Sequence, residues 1–380
     1  MRISRFIPGG ALAAALLAAA CGTDPQSTAS PLAESRAGHD GGTGAVAVAS
    51  NAADGNAVLV FPRDRHGALG APTAFATGGT GTGAGLGNQG GLIHAYEGHF
   101  VLVVNAGSND VSVFRRDGNS LDLVDRTPSG GTTPISLTAR RGLVYVLNAG
   151  GDGNIAGFTL SDDGHLTALP GSIQPLSGPA PGPAQIGFAP GGRRLVVTEK
   201  GTNRLTLYDV GDGGVASGPH SQASAGQTPF GFSFDRRGHL IVSEASGGAP
   251  GASTVSSYRL GRDGLVGITA ALPTTQTAAC WVAVSPDGRF AYITNTGSST
   301  LTGLRIHPRG RLSLLGEDGV SGTTGATPID LAFAAEGREL FTLNSGDHSI
   351  SGFLVRPNGR LVNVSTTSGL PGAANGMTAW

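Results

Sequence analysis

Two cysteines, Cys21 and Cys280, are all that the 380 residues contain, so at most one intrachain disulfide can form and a disulfide-stapled scaffold is excluded. Charged residues make up only 13% of the chain, with a formal net charge of -1. No basic run occurs beyond residue 44, so the electrostatic footprint of a nucleic-acid binder is missing. Helical periodicity is absent outside the extreme N-terminus, which argues against bundles and doubly wound α/β folds. The histidines do not cluster at metal-ligand spacing. Nor is there a Gly-x-Ser-x-Gly elbow or a phosphate loop in a strand-to-helix setting.

Glycine and proline are plentiful instead, 64 and 22 residues, and they punctuate short β-rich runs. The clearest unit spans 277–319. It reads as strands over 281–285, 290–294, 300–306 and 312–315, with a Pro286-Asp287-Gly288-Arg289 turn and a polar loop over 295–299. Seven copies follow one another, aligned on Asn51, Asn105, Asn148, Glu199, Glu244, Asn295 and Asn344 at the end of the second strand. Their spacing of roughly 43 to 54 residues is that of four-stranded propeller blades. The fold expected is a single all-β, seven-bladed propeller of four-stranded antiparallel blades over 44–380. Its first copy lacks an inner strand, and 371–380 is an unpaired candidate for that place. The C-terminal strand is therefore expected to close the ring.

Residues 1–21 have the pattern of an export signal: Arg2 and Arg5, a short apolar run over 11–20, and small residues before Cys21. Ala18-Ala19-Ala20-Cys21 resembles a lipoprotein lipobox, with Ala18 where leucine is usual; ordinary signal cleavage nearby is the alternative. Lipidation of Cys21 leaves Cys280 a lone thiol. Residues 22–43 read as a flexible tether. The expectation is an exported protein, periplasmic or on the cell surface, touching the membrane only through its lipid anchor. A closed ring exposes no sheet edge that demands a partner, so a monomer is expected.

Inner-strand starts and second-strand ends share one rim of such a disc, so the channel mouth there is the expected site for a small-molecule ligand. Glu199 and Glu244 replace Asn in adjacent blades and are candidates for general acid and base, or for oxygen ligands of a divalent cation. A salt-bridged rim involving Lys200, Arg204 or Arg259 is the plainer reading of the two glutamates. Substrate contacts are expected from Trp281, Asp330, Gln185, Lys200, His94, Asn148, Asn295 and Asn344. The asparagines have a structural alternative as turn formers, and Trp281 and Cys280 as packing between blades.

The repeats TPFGFSFDRRGHLIVSEASGGAPGASTVSSY, TAACWVAVSPDGRFAYITNTGSSTLTGLRI and TPIDLAFAAEGRELFTLNSGDHSISGF resemble the lactonase-type propeller family, which includes propeller 6-phosphogluconolactonases and carboxymuconate cyclases. The resemblance covers 44–380 and points to a secreted bacterial branch. It implies a lactonase-like hydrolase, or a related cyclase or isomerase. The family's His-Pro-His inner-strand motif and channel arginines are missing here, so an uncharged lactone fits better than a sugar phosphate. A non-catalytic propeller that binds a protein or cell-surface ligand through rim loops such as 247–253 is the alternative.

Overall fold

The computed structural model describes residues 44–380. Export signal, Cys21 and tether lie outside the described residues. The remainder is a seven-bladed β-propeller, each blade an antiparallel sheet of four main strands. From the inner strand outward, blade 2 runs Leu92–Ala95, Phe100–Asn105, Asp110–Asp117 and Ser120–Pro128. Blades 3 to 7 repeat this order, with inner strands Pro134–Arg140, Pro183–Phe188, Pro229–Phe234, Ala279–Val284 and Pro328–Phe333.

Position in the blade explains the composition of each strand. A second strand is covered on both faces by neighbouring blades and is a continuous apolar run, as in Phe100–Asn105, buried throughout. Outer strands face solvent and are mostly half-buried or exposed, as in Ala216–Ala223. The hairpins between third and outer strands latch each blade to the previous one. Gly359, at φ +87°, has no room for a Cβ against the Phe290 ring, and the Tyr292 hydroxyl donates to its carbonyl at 2.6 Å.

Blade 1 is closed by the other end of the chain, as expected. Its inner strand is Asn375–Ala379, paired antiparallel with Gly44–Ala49 through Val46↔Ala379, Ala47↔Thr378 and Val48↔Met377. Backbone bonds between Ala45 and Trp380 finish the seam. Arg63 of blade 1 and Glu339 of blade 7 form a buried ion pair across the same junction, 4% and 6% exposed.

Two faces of the disc must be distinguished. One carries the second-strand ends and blade-to-blade linkers, here the anchor face. The other carries the inner-to-second and third-to-outer hairpins, here the hairpin face.

Candidate functional site

The expected site does not assemble at the anchor face. Glu199 and Glu244 are fully buried, and each carboxylate is consumed by its own blade and the linker that leads into it. Glu199 accepts from the Ser177 amide and hydroxyl and from Thr202 and Thr206. Glu244 accepts from Ser224, the Gly226 amide, Thr254 and Ser256. They share no donor, so neither the acid–base pair nor the two-carboxylate cation site forms. Among the described residues no group of three His, Cys, Asp or Glu side chains converges on a metal position.

Asparagines do the same work in other blades. Asn295 donates to Thr300 and Thr302, Asn344 to Ser349 and Ser351, and Asn148 to the Ser129 carbonyl and Asn154. All three are fully buried. The repeated position cross-links second and third strands, and Glu does it as an acceptor where Asn does it as a donor. No substrate contact is available to any of them.

The anchor-face mouth is also covered. Segment 84–91, between blades 1 and 2, crosses the axis. The Gln89 amide donates to the Ala184 carbonyl of blade 4, and its side chain makes a two-way bond with the Val282 backbone of blade 6. Asn88 donates to Ile135 of blade 3, while Trp281 and Lys200 donate to the carbonyls of Asn88 and Gly87. Asn51 tethers the start of the crossing through Thr82 and Ala84. Trp281 is thus packing, 1% exposed and 4.7 Å from the Phe230 ring between centroids. Lys200 lies over that same ring rather than in the channel.

A cavity of about 480 Å³ remains on the axis, lined by the later halves of the inner strands and so opening toward the hairpin face. Its wall includes His94, Gln185, Asp330 and Thr378, with Phe188 and Phe232 among the apolar members. No lysine or arginine lines it. Gln185 reaches the wall with its amide already spent in a two-way bond to the Phe232 backbone, tying blades 4 and 5. Ser136 and Thr138 accept from Ile186 and Phe188 and tie blades 3 and 4.

Asp330 and His94 are the ionisable pair of this wall, and both are set by the closing strand. The Asp330 carboxyl accepts from the Met377 amide at 2.9 Å and from its own neighbour Leu331 at 2.8 Å. Burial outweighs these two bonds and pushes its pKa up to about 8. His94 Nδ1 lies 2.9 Å from the Thr378 hydroxyl. Burial, with Arg116 nearby, holds the imidazole below its ordinary pKa. A neutral carboxylic acid and a neutral imidazole therefore line one cation-free cavity at neutral pH, an arrangement suited to general acid and base roles. Gln89, Thr378 and the phenylalanines carried no sequence signal of their own. The phenylalanines follow on the same inner strands as Gln185 and Gly231, Phe188 three places and Phe232 one place further along.

Comparison with known proteins accords with this architecture. Residues 252–374 match the family model for the seven-bladed β-propeller lactonases. That lactonase match starts near the third strand of blade 5 and stops just before the closing strand. Among solved structures, the periplasmic gluconolactonase PpgL of Pseudomonas aeruginosa superposes with a TM-score of 0.70 at 17% identity, covering 87% of this chain and 98% of its own. A Lactobacillus plantarum protein gives 0.71 at 17% identity, with 89% and 100% covered. A candidate 6-phosphogluconolactonase of Bacteroides fragilis gives 0.70 at 19%, with 89% and 98% covered. At these identities the likeness is one of fold. No curated protein matches the sequence.

Proposed function

We propose that the protein is a lactonase-type hydrolase that opens a small, uncharged, largely apolar lactone inside the axial cavity. The observation that carries this reading is the pairing of Asp330 and His94 on a wall without lysine or arginine. His94 Nε2 takes a proton from water as its oxygen attacks the ring carbonyl. The acyl–oxygen bond of the ring then breaks, Asp330 gives its proton to the departing alkoxide, and solvent exchange resets both groups. The product is a hydroxy acid. A phosphorylated substrate would bring charge into a wall with no cation to offset it.

The lactonase match supports the reaction class, and the periplasmic location of the Pseudomonas relative accords with the export signal read in residues 1–21. Membership of the whole chain in the lactonase family, lipidation of Cys21 and a monomeric state belong to the same proposal. The test is turnover of a panel of neutral aliphatic and aryl lactones by wild type, His94→Ala and Asp330→Asn. Loss of turnover in both variants with cooperative thermal unfolding retained supports the assignment; retention of turnover in either removes that residue's role.

A further inference from the structure

The cations of the disc are sorted by face, while acids occur on both. Among the described residues only Arg126, Lys200 and Arg204 represent the cations toward the anchor face, where Asp54, Asp152, Glu317, Asp318 and Asp347 lie in the loops. The other arginines fall in or beside the hairpins of the opposite face. Seven of them belong to blades 6 and 7, where a groove of about 390 Å³ runs between hairpins of the two blades. Arg289, Arg338 and Arg356 line it with Ser285, Asp287 and Pro357. Exposed Arg305 and Arg360 lie beside it, over the Phe290 ring and in the same hairpin as Arg356.

Few acids compensate these charges. Asp287 is held by Arg289 at 2.6 Å, and Glu336 and Glu339 are held by Arg63. Arg338 and Arg356 make no ion pair among the described residues. Arg289 and Arg305 both sit 5.2 Å from the centre of the Phe290 ring, which restricts their guanidinium groups before any ligand arrives. Planar guanidinium forks pair bidentately with carboxylate, sulfate or phosphate.

We propose that this groove binds an acidic polysaccharide, seating successive anionic groups of one chain on Arg338, Arg356 and Arg289. A concave groove between hairpins accepts a chain, whereas a bilayer surface would meet only its edges. No aromatic ring is among the large exposed apolar side chains, Leu123, Ile173, Val266 and Val364, so nucleic-acid bases have nothing to stack on. The site is independent of the axial cavity and of any hydrolytic activity there.

The test is affinity electrophoresis of the full chain against polygalacturonate, with dextran as the uncharged polymer. Anionic phosphatidylglycerol vesicles and a single-stranded oligonucleotide serve as competing polyanions. Wild type should be retarded by polygalacturonate and not by dextran, less so as salt rises. Arg338→Glu/Arg356→Glu should weaken binding by about tenfold or more, and Arg193→Glu/Arg262→Glu, on the hairpins of blades 4 and 5 outside the groove, by under about threefold. Arg338→Ala/Arg356→Ala keeps the comparison open if the charge reversal unfolds. Equal behaviour of the groove variants and wild type, no preference over dextran, or tighter binding to vesicles or oligonucleotide would overturn the proposal.

Discussion

A carboxylate that accepts four hydrogen bonds from its blade and the linker leading into it has no lone pair to offer a ligand, and that is the state of Glu199 and Glu244. Glu244→Gln places an amide among buried hydroxyl and amide donors. It should cost roughly 1–3 kcal/mol in denaturant unfolding, while turnover per folded molecule stays unchanged. Asp330 behaves oppositely. Its folded pKa of about 8 lies above the ordinary 3.8, so the folded state binds the extra proton. Stability from this group is complete below the lower value and declines as pH rises toward about 8. Asp330→Asn should flatten that decline, seen as a smaller fall in Tm between mildly acidic and alkaline buffer. In turnover, wild type should lose activity as pH passes about 8, where Asp330 gives up its proton, and also on acidification through the lowered pKa of His94. A rate that keeps climbing above that pH would rule out Asp330 as the acid.

At the scale of elements, the closing strand has two duties. It completes blade 1, burying Met377 and Ala379 in the core shared with blade 7, and it supplies the Met377 amide and Thr378 hydroxyl that orient Asp330 and His94. Deleting 375–380 should abolish cooperative unfolding, because the second strand Gly44–Ala49, wholly buried in the native ring, loses its inner partner. Circular dichroism melts of the truncated and full chains would show it; a sharp transition at the wild-type Tm would mean the clasp is dispensable. The segment across the anchor-face mouth is the other decisive element. Its glycines let the backbone pass close to the strand ends: a Cβ on Gly91 would lie 2.9 Å from the Asn88 amide nitrogen, and one on Gly81 2.2 Å from the Asn51 backbone. Nothing in the repeat pattern distinguished this stretch from an ordinary linker between blades.

For the whole molecule, ring closure places a buried ion pair at the seam between blades 1 and 7. Breaking the Arg63–Glu339 pair by Arg63→Met leaves Glu339 buried, where burial already raises its pKa despite the arginine beside it. The variant should lose about 3–5 kcal/mol, measured by denaturant unfolding. An effect under about 1 kcal/mol would mark the pair as a surface-like bridge. The disc's other global property is its polarity. The open end of the cavity lies on the arginine-rich face, while the cavity itself carries no cation.

The architecture was legible before any coordinates because a propeller is written in local signals. The strand over 300–306 matches the observed Thr300–Ile306, and 290–294 falls one residue short of Phe290–Asn295. The missing inner strand of the first copy pointed directly to the C-terminal clasp. Asn51 stands opposite Asn56 as Asn105 stands opposite Asp110, but at φ 49° its side chain donates to Thr82 and Ala84 instead of into its own hairpin. The site itself depended on relations the chain does not spell out locally. Whether Glu199 meets solvent or four donors is decided by Ser177, Thr202 and Thr206 folding back on it. Whether a mouth of the channel is open is decided by where a glycine-rich linker crosses the axis. Period, turns and closure are properties of each repeat and its neighbours in sequence, so the sequence by itself determined them. The facing of Asp330 and His94 across a cation-free cavity joins blades 7, 1 and 2 through long-range packing, and only the tertiary structure decided it.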